Sequence, residues 1–450
     1  MDERVRSYIL AHMDQALADL ERLCNQPSVS AQRMGVEECA QVVKAMLEEA
    51  GFTVRLFPLP GVAPVVYAEQ KGRSARTVLI YDHYDVQPPE PLELWDSPPF
   101  RLTVRDGKAY ARGVSDDKGC FVARLQAVKA WRAVYGTVPC TVRWVLEGAE
   151  EIGSPHFGDW VAQHADLLRA EGCIWEGGGV TWEGAPTVTL GLKGIAYVEL
   201  VARGANRDVH SSYGAVVPNP AWRLVWALST LKGPGERVRI RGFYDRVRPP
   251  TRLEREALRR LPEEDAQLAQ SLGIKKFVKG VRGYAYRRRL YFEPSCSICG
   301  IVGGYTGPGT KTIVPAEARA KVDFRLVPDQ RPEEVVALLR EHLRVHGFGD
   351  IEVIEHPGGS APARTPLDSP WVRLVADAAQ EVYGTPAVLV PTMAGSGPMC
   401  FFTERGLPVA MAAGAGYPDN RIHAPNENIR LQDYQRAILH MASIVEALGR

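Results

Sequence analysis

Five short segments of the chain carry histidines and carboxylates of the types that bind divalent metal ions. Two imidazoles and three carboxylates can hold two such ions if one carboxylate bridges them, and a further carboxylate can then act as a base. The combination predicts metal-assisted hydrolysis. The segments are YDHYDVQP with His83 and Asp85, ARGVSDDKG with Asp116 and Asp117, LEGAEEIGS with Glu150 and Glu151, CIWEGGG with Glu176, and RIHAPNENI with His423.

The first segment follows a predicted buried strand. TVLIYD (77–82) is a continuous apolar run, which is typical of a sheet covered by helices on both faces. In open sheets of this kind, sites gather at the carboxyl ends of the strands. The spacing of His83 and Asp85 lets the carboxylate accept the second N–H of the imidazole. We therefore predict that His83 is a ligand and that Asp85 orients it.

Two pairs of adjacent acids also lie next to the ends of predicted elements. Asp116 and Asp117 precede a predicted helix, where Asp117 suits the N-cap and Asp116 suits a bridge between two ions. Glu150 and Glu151 follow the predicted strand CTVRWVLEG (140–148), and their side chains would point in roughly opposite directions. One of them can bind metal while the other, with a raised pKa, acts as the general base.

Glu176 and His423 complete the candidate ligands. Glu176 ends the short predicted strand GCIW, and His423 lies in a loop flanked by glycine and proline. Asp166 and Glu171 are close to Glu176 in sequence and compete with it for the same role.

The elements that must position these residues indicate an α/β fold with an insertion. A length of 450 residues favours two domains. Strands and helices alternate up to residue 193, whereas GIAYVELVARG and EARAKVDFRLVP, further along, are alternating strands of a smaller α+β unit. From residue 360 onward, strands and helices alternate again as they do before residue 193. We predict a domain formed by residues 1–193 and 360–450, with a second domain inserted at 194–359.

Composition limits the binding partners and the cellular compartment that we expect. A formal net charge of +1 gives no reason to expect nucleic acid or an anionic membrane as a partner. MDERVRSYILAHMDQ lacks the apolar core of a signal peptide, and no later stretch is suited to span a bilayer. The eight cysteines are scattered, and the pair Cys296 and Cys299 lies in a predicted strand with no second pair at zinc-site spacing. A reducing cytoplasm is predicted.

Taken in order, the motifs resemble those of the dinuclear zinc peptidases. That family includes cytosolic nonspecific dipeptidases, carnosinase, glutamate carboxypeptidase, aminoacylase and succinyl-diaminopimelate desuccinylase. The resemblance covers the whole chain, and DHYDVQP, RGVSDDKG, KTIVP, FRLVP and HAPNENI are most similar to the carnosinase-like dipeptidase branch. It implies an α/β catalytic domain, an inserted ferredoxin-like lid and dimerisation domain, and a cytoplasmic homodimer.

The resemblance also implies a role for each residue. Glu150 would be the general base, and Asp85 would orient His83. His210 would reach across the dimer toward the partner's substrate carbonyl. The substrate's terminal carboxylate would be bound by Arg325, Thr312, Ser396 and Gly397. The first zinc ion would take His83, Asp116 and Glu176, and the second Asp116, Glu151 and His423.

The predicted function is therefore that of a dizinc metallopeptidase. It would hydrolyse dipeptides or small peptides with a free C-terminal carboxylate, through a metal-bridging hydroxide. Manganese or cobalt also suits such a ligand set. The alternative is an N-acyl amino acid deacylase or desuccinylase on the same scaffold. Glu176 leaves this choice open, because dipeptidases of the branch usually carry aspartate there, whereas carboxypeptidases and deacylases carry glutamate. The intact ligand set disfavours a catalytically silent relative.

Overall fold

The structure, a computed structural model, describes residues 1–450. Its helices, α1 to α13 in chain order, span Glu3–Ala11, Met13–Cys24, Val36–Glu49, Lys118–Tyr135, Phe157–Gln163, Pro220–Leu231, Arg252–Arg260, Asp265–Ser271, Gly283–Phe292, Pro332–Val345, Pro370–Tyr383, Cys400–Thr403 and Leu431–Gly449. Its strands, β1 to β20, span Thr53–Leu59, Val62–Gln70, Ser74–His83, Thr103–Arg105, Lys108–Tyr110, Cys140–Glu147, Gly172–Trp175, Gly179–Val180, Pro186–Thr189, Gly191–Leu192, Gly194–Arg203, Val209–His210, Ser295–Gly303, Ile313–Val314, Glu317–Leu326, Glu352–Glu355, Ala363–Arg364, Val388–Val390, Val409–Met411 and Asn428–Arg430.

The larger sheet has the strand order β1-β2-β6-β3-β7-β19-β9-β18, with β8 paired to β9. Its centre is parallel: β3 lies between β6 and β7, and β19 continues in the same direction. Both faces are covered, because Val78 and Ile80 of β3 pack into one core while Leu79 and Tyr81 pack into another. This two-sided burial explains the continuous apolar sequence of β3.

A second sheet of four antiparallel strands has the order β13-β15-β11-β16. In chain order its elements are β11, α6, β13, β15, α10 and β16, which is the ferredoxin-like arrangement. Helices α6 and α10 pack against it around a core of their own. The predicted α/β class with an inserted ferredoxin-like unit is confirmed.

The structure differs from the sequence-based expectations in three places. Apolar residues recur about one helical turn apart over residues 2–23 and predict one helix, but the structure divides it into α1 and α2 at His12, where no glycine or proline signals a break. The hairpin of β1 and β2 was not predicted, and it makes the sheet mixed. The sequence of residues 397–405 also predicts a helix, but only the single turn of α12 forms there. No helix has both the length and the apolar character needed to cross a membrane.

A buried ion pair ties the central strands to helix α4. Arg124 and Asp82 are both fully buried and form a salt bridge. The guanidinium also donates to the carbonyl oxygens of Trp175 at 2.7 Å, Gly177 at 2.9 Å and Ala412 at 2.9 Å. Arg124 therefore joins the carboxyl ends of β3, β7 and β19, which lie beside the candidate ligands.

We predict that Arg124→Met destabilises the protein strongly, because Asp82 is left buried without its counter-charge. The expected loss in urea unfolding is about 3–5 kcal/mol. Arg22→Met is the control, since Arg22 pairs with Glu49 at the surface and such pairs contribute at most about 1 kcal/mol. Equal losses for the two variants would contradict this account.

Candidate metal centre

Three parallel strands end at the same edge of the large sheet and deliver most of the candidate ligands there. His83 is the last residue of β3, Glu150 and Glu151 follow β6 after a short turn, and Glu176 follows β7. Because β6, β3 and β7 are neighbours, these side chains meet although they are far apart in sequence. The loops after β5 and before β20 add Asp116 and His423 to the same place.

Asp116 lies between two imidazoles. Its Oδ1 is 3.1 Å from Nε2 of His83, and its Oδ2 is 3.1 Å from Nε2 of His423. The same two nitrogens also face further carboxylates: His83 Nε2 is 3.7 Å from Glu176 Oε2, and His423 Nε2 is 3.2 Å from Glu151 Oε2. The structure thus brings together all five residues that sequence reasoning selected as ligands. Asp116, Glu151 and His423 form one group, and His83 and Glu176 form another with Asp117, which Asp116 contacts through His83.

The donor chemistry of these groups suits two divalent cations. Glu151 Oε1 and Glu176 Oε2 are buried oxygens without a hydrogen-bond partner. The ion pairs of Asp116, Glu151 and Glu176 are all with histidine, and none is with lysine or arginine. Three carboxylates and two imidazoles form a mixed nitrogen and oxygen set of the kind that binds zinc.

The pKa values reflect the close contact between these acids and the two imidazoles. Burial alone would raise the pKa of Asp116, but hydrogen bonds from His423 and His83 hold it well below its ordinary value. Hydrogen bonds to Asp116 and Glu151 raise the pKa of His423 to about 10. Burial, reinforced by the charge of Glu150, raises the pKa of Glu176 well above its ordinary value. The cluster stabilises any positive charge that it can hold.

Asp85 holds the ligand loop as well as the histidine ring. Its carboxylate accepts the backbone N–H groups of Glu150 and Glu151, each at 3.1 Å. His83 Nδ1 is 3.0 Å from the main-chain oxygen of Asp85 and 3.4 Å from its Oδ1. The nearest acceptor of the ring N–H is therefore the carbonyl, where sequence analysis expected the carboxylate.

Asp117 occupies the N-cap position of α4 but does not cap the helix with its side chain. Its carboxylate accepts the backbone N–H groups of Gly177, at 3.2 Å, and His83, at 3.4 Å. An oxygen of Asp117 also lies close to ligand atoms of His83 and Glu176. Because both of its oxygens already bind the backbone, we interpret Asp117 as a residue that positions the ligand loops.

The competitors of Glu176 lie elsewhere. Asp166 is an exposed residue that pairs with Arg169 at 2.5 Å. Glu171 Oε2 accepts the backbone N–H of Thr77 at 2.5 Å, at the opposite end of β3. Neither is close to the metal-ligand groups, so Glu176 is the carboxylate that this region contributes.

Glu427 is a buried residue that sequence analysis did not select. Its two oxygens accept the backbone N–H groups of Gly113, Ser115 and Asp116 at 2.8–3.0 Å and a hydrogen bond from Arg112 at 2.7 Å. Burial raises its pKa even though Arg112 opposes the shift. The motif HAPNENI pointed to Glu427 in the sequence, because it places this acid four residues after the candidate ligand His423.

A cavity of about 210 Å³ opens beside Glu150. Arg325, Ser396 and Gly397 line it, and Arg325 Nη1 donates to Ser396 Oγ at 2.9 Å. A Cβ on Gly397 would lie 3.4 Å from Glu150 Oε1, so the backbone of this residue passes directly beside the carboxylate. Burial raises the pKa of Glu150 well above its ordinary value, with His83 opposing the shift and Glu151 adding to it.

His210 and Thr312 are not brought to this cavity within one chain. They lie beside each other at the two-stranded sheet formed by β12 and β14. His210 pairs there with Ile313, and the main-chain oxygen of Thr312 accepts the N–H of Ser211 at 3.0 Å. Both residues are exposed, and His210 hydrogen-bonds with Ser212. The roles expected for them remain predictions.

Fold and ligand cluster together define a metal-dependent hydrolase, and the comparisons give its family. The model of Peptidase family M20/M25/M40 matches residues 79–447, and the chain belongs to this metallopeptidase family. A Schizosaccharomyces pombe relative, "Cys-Gly metallodipeptidase dug1", is 31% identical over 73% of each chain. The solved M20 metallo-carboxypeptidase Sso-CP2 of Sulfolobus solfataricus is 39% identical, with a TM-score of 0.93 over 96% of this chain and 99% of that one. Human carnosine dipeptidase 1 is 26% identical, with a TM-score of 0.83 over 99% of both.

We predict that Glu427→Gln weakens metal binding, because the amide keeps one acceptor oxygen and places an NH2 donor against the N–H groups that the second carboxylate oxygen accepts. The expected loss in zinc affinity is about 10–100-fold, measured by competition with a chromophoric chelator. Glu404→Gln, which alters an exposed ion pair with Arg331, is the matched control. Unchanged affinity in Glu427→Gln would show that the loop does not depend on this carboxylate.

Proposed function

We propose that the protein hydrolyses dipeptides or other small peptides with a free C-terminal carboxylate, at a site that holds two divalent metal ions. The observation that carries the proposal is Asp116, whose two oxygens each face a different imidazole at 3.1 Å. Dipeptidases and a carboxypeptidase among the similar proteins support a small peptide as substrate.

The residues that would hold the ions fall into two sets. His83 and Glu176 would bind one ion, Glu151 and His423 the other, and Asp116 both. When bound, such ions polarise a carbonyl group and lower the pKa of water. Zinc suits this ligand set, and manganese or cobalt can occupy it as well.

Glu150 would serve as the general base. Its carboxylate faces the cavity and makes no ion pair within the chain, while the backbone N–H of the same residue is held by Asp85. With a raised pKa, Glu150 can take a proton from the attacking water. It would then deliver this proton to the amine nitrogen as the peptide bond breaks.

Arg325 and Ser396 would bind the terminal carboxylate of the substrate. Arg325 uses Nε for Asp323, at 3.0 Å, and Nη1 for the Ser396 hydroxyl. The remaining face of the guanidinium is free to pair with an anion in the cavity, and a planar fork suits a carboxylate. The Gly397 backbone would allow the substrate to lie close to Glu150.

We predict that Glu150→Gln keeps its metal and loses activity. The amide has nearly the same shape but cannot accept a proton, so the turnover rate should fall by roughly 10²–10⁴-fold. Steady-state kinetics on a dipeptide and elemental analysis of the same preparation measure the two quantities. Near-normal turnover with full metal occupancy would reject Glu150 as the base.

One dipeptide in three forms separates this function from deacylation. Zinc-loaded protein should cleave the peptide bond of the free dipeptide and leave the C-amidated form intact, because Arg325 needs a carboxylate. Arg325→Met should raise KM for the free form by on the order of tenfold, the loss of one charge-assisted bond. Release of acetate from the N-acetylated form, with no cleavage of the free one, would favour a deacylase.

We also propose a homodimer that forms through the second sheet. Strand β13 is an edge strand with no partner on one side, and its Ile298, Ile301 and Val302 are exposed. Next to it, Trp222 and Trp226 of α6 are more than half exposed and stack on each other. An apolar edge of this kind is suited to pairing with a second copy across a two-fold axis.

We further propose that residues 1–193 and 360–450 form a catalytic domain and that residues 194–359 form a lid and dimerisation domain. The eight cysteines are free thiols, which supports a reducing compartment such as the cytoplasm.

Coexpression of Glu150→Gln and His210→Ala chains tests the dimer and the role of His210. Each variant alone should be nearly inactive. In a mixed dimer, the His210→Ala chain keeps its own base and receives His210 from its partner. Random pairing should therefore restore about a quarter of the wild-type activity, because half of the dimers are mixed and each has one complete site. No recovery in a purified mixed dimer would contradict a role for His210 in the partner's site.

A further inference from the structure

Lys193 is a buried cation that the proposed mechanism does not use. It is only 5% exposed, and its Nζ donates one hydrogen bond, to the main-chain oxygen of Glu293 at 2.6 Å. The carboxylate of Glu293 is already bound by Arg288, at 2.7 Å, and Arg289, at 3.1 Å. Lys193 therefore lacks a carboxylate partner, which is an unfavourable state for a buried ammonium group.

A second cavity, of about 240 Å³, lies against Lys193. Its walls come from the segment that leads into and forms α9 and from the start of β13. Half of the lining residues are apolar, and the charged ones are Lys193, Arg289 and Glu293. Arg289 and Glu293 pair with each other, so Lys193 is the lining charge without an ion-pair partner and the group that would select a ligand by charge. The apolar side chains are Phe277, Val278, Val281, Tyr286 and Leu290.

Arg325 lies between this cavity and the one beside Glu150. On β15, Arg325 lies between two cross-strand neighbours: Ser295 of β13, which lines the second cavity, and Ile195 of β11, which lines the first. The backbone N–H of Lys193 donates to Gly395, next to the Ser396 that holds Arg325. Burial, with the charge of Arg325 adding to it, lowers the pKa of Lys193 to about 8. The adjacent residues Gly395 and Ser396 therefore link Lys193 with Arg325.

We infer that the second cavity receives the side chain of the substrate's C-terminal residue, and that Lys193 binds a carboxylate on that side chain. The enzyme would then favour peptides that end in an acidic residue. This inference rests on the proposed function, because Arg325 must first bind the main-chain carboxylate. The apolar wall would pack against the methylene groups of the side chain, while the ammonium gains the counter-charge that the chain does not give it.

A purely structural role for Lys193 makes a different prediction. Its ammonium lies at the carboxyl end of α9, where a cation stabilises the last carbonyl groups of a helix. In that case its removal would affect all substrates alike.

The test compares Ala-Glu, the isosteric Ala-Gln and Ala-Leu as substrates of the zinc-loaded full-length protein. We expect wild type to have kcat/KM for Ala-Glu on the order of tenfold above that for Ala-Gln, the value of one charge-assisted bond. Lys193→Met should bring this ratio close to one by raising KM for Ala-Glu, with Ala-Leu little changed. Lys193→Arg should retain part of the preference. Lys71→Met, which removes an exposed lysine far from the site in sequence, should keep the full ratio.

The outcomes separate the inference from the proposed function. If wild type cleaves all three peptides equally well, the inference is overturned and the proposed function stands; this result needs no variant, so poor folding of Lys193→Met cannot obscure it. An equal loss on all three peptides in Lys193→Met would also overturn the inference. Cleavage of none of them by wild type would overturn the proposed function and the inference together.

Discussion

The site depends on one carboxylate that two imidazoles share. Asp116 lies between His83 and His423, and Glu176 and Glu151 approach the same imidazole nitrogens. In a buried setting, so many acids repel one another, and the two histidines cannot neutralise all of them. The raised pKa of His423 follows from its contacts with Asp116 and Glu151, and burial together with the charge of Glu150 raises the pKa of Glu176. Two divalent cations would relieve the repulsion, which is why the cluster and the metal requirement of the family agree.

The rest of the local structure keeps these like charges together. Three further acids, Asp85, Asp117 and Glu427, are buried in the same region and use their oxygens on backbone N–H groups. They hold the loops after β3, β6 and β7 and the loop that carries Asp116. This suggests a physical distinction between the two kinds of acid. Of the candidate ligands, Glu151 and Glu176 each keep one oxygen free of hydrogen bonds, and Asp116 contacts the two candidate histidines, whereas the positioning carboxylates have their oxygens satisfied by backbone N–H groups.

Residue type and spacing were enough to select five candidate ligands that the structure brings close together, because each follows a recognisable buried strand or lies in a distinctive loop. Residue type and spacing did not fully distinguish the role of Asp116 from that of Asp117. The capping role expected for Asp117 follows from sequence position, but its actual partners, His83 and Gly177, are set by the direction of the chain in three dimensions. Glu427 and Lys193 were missed for the same reason, since hydrogen bonds to distant backbone leave little trace in a sequence. The break at His12 has no glycine or proline to announce it.

The most direct test of this account is the anomalous scattering of a zinc-loaded crystal, recorded on both sides of the zinc absorption edge. The account predicts two peaks per chain, about 3.5–4 Å apart, with one oxygen of Asp116 on each. His83 and Glu176 should contact one peak, and His423 and Glu151 the other. A single fully occupied peak, or two peaks of which only one touches Asp116, would contradict the shared carboxylate on which the rest of the structure depends.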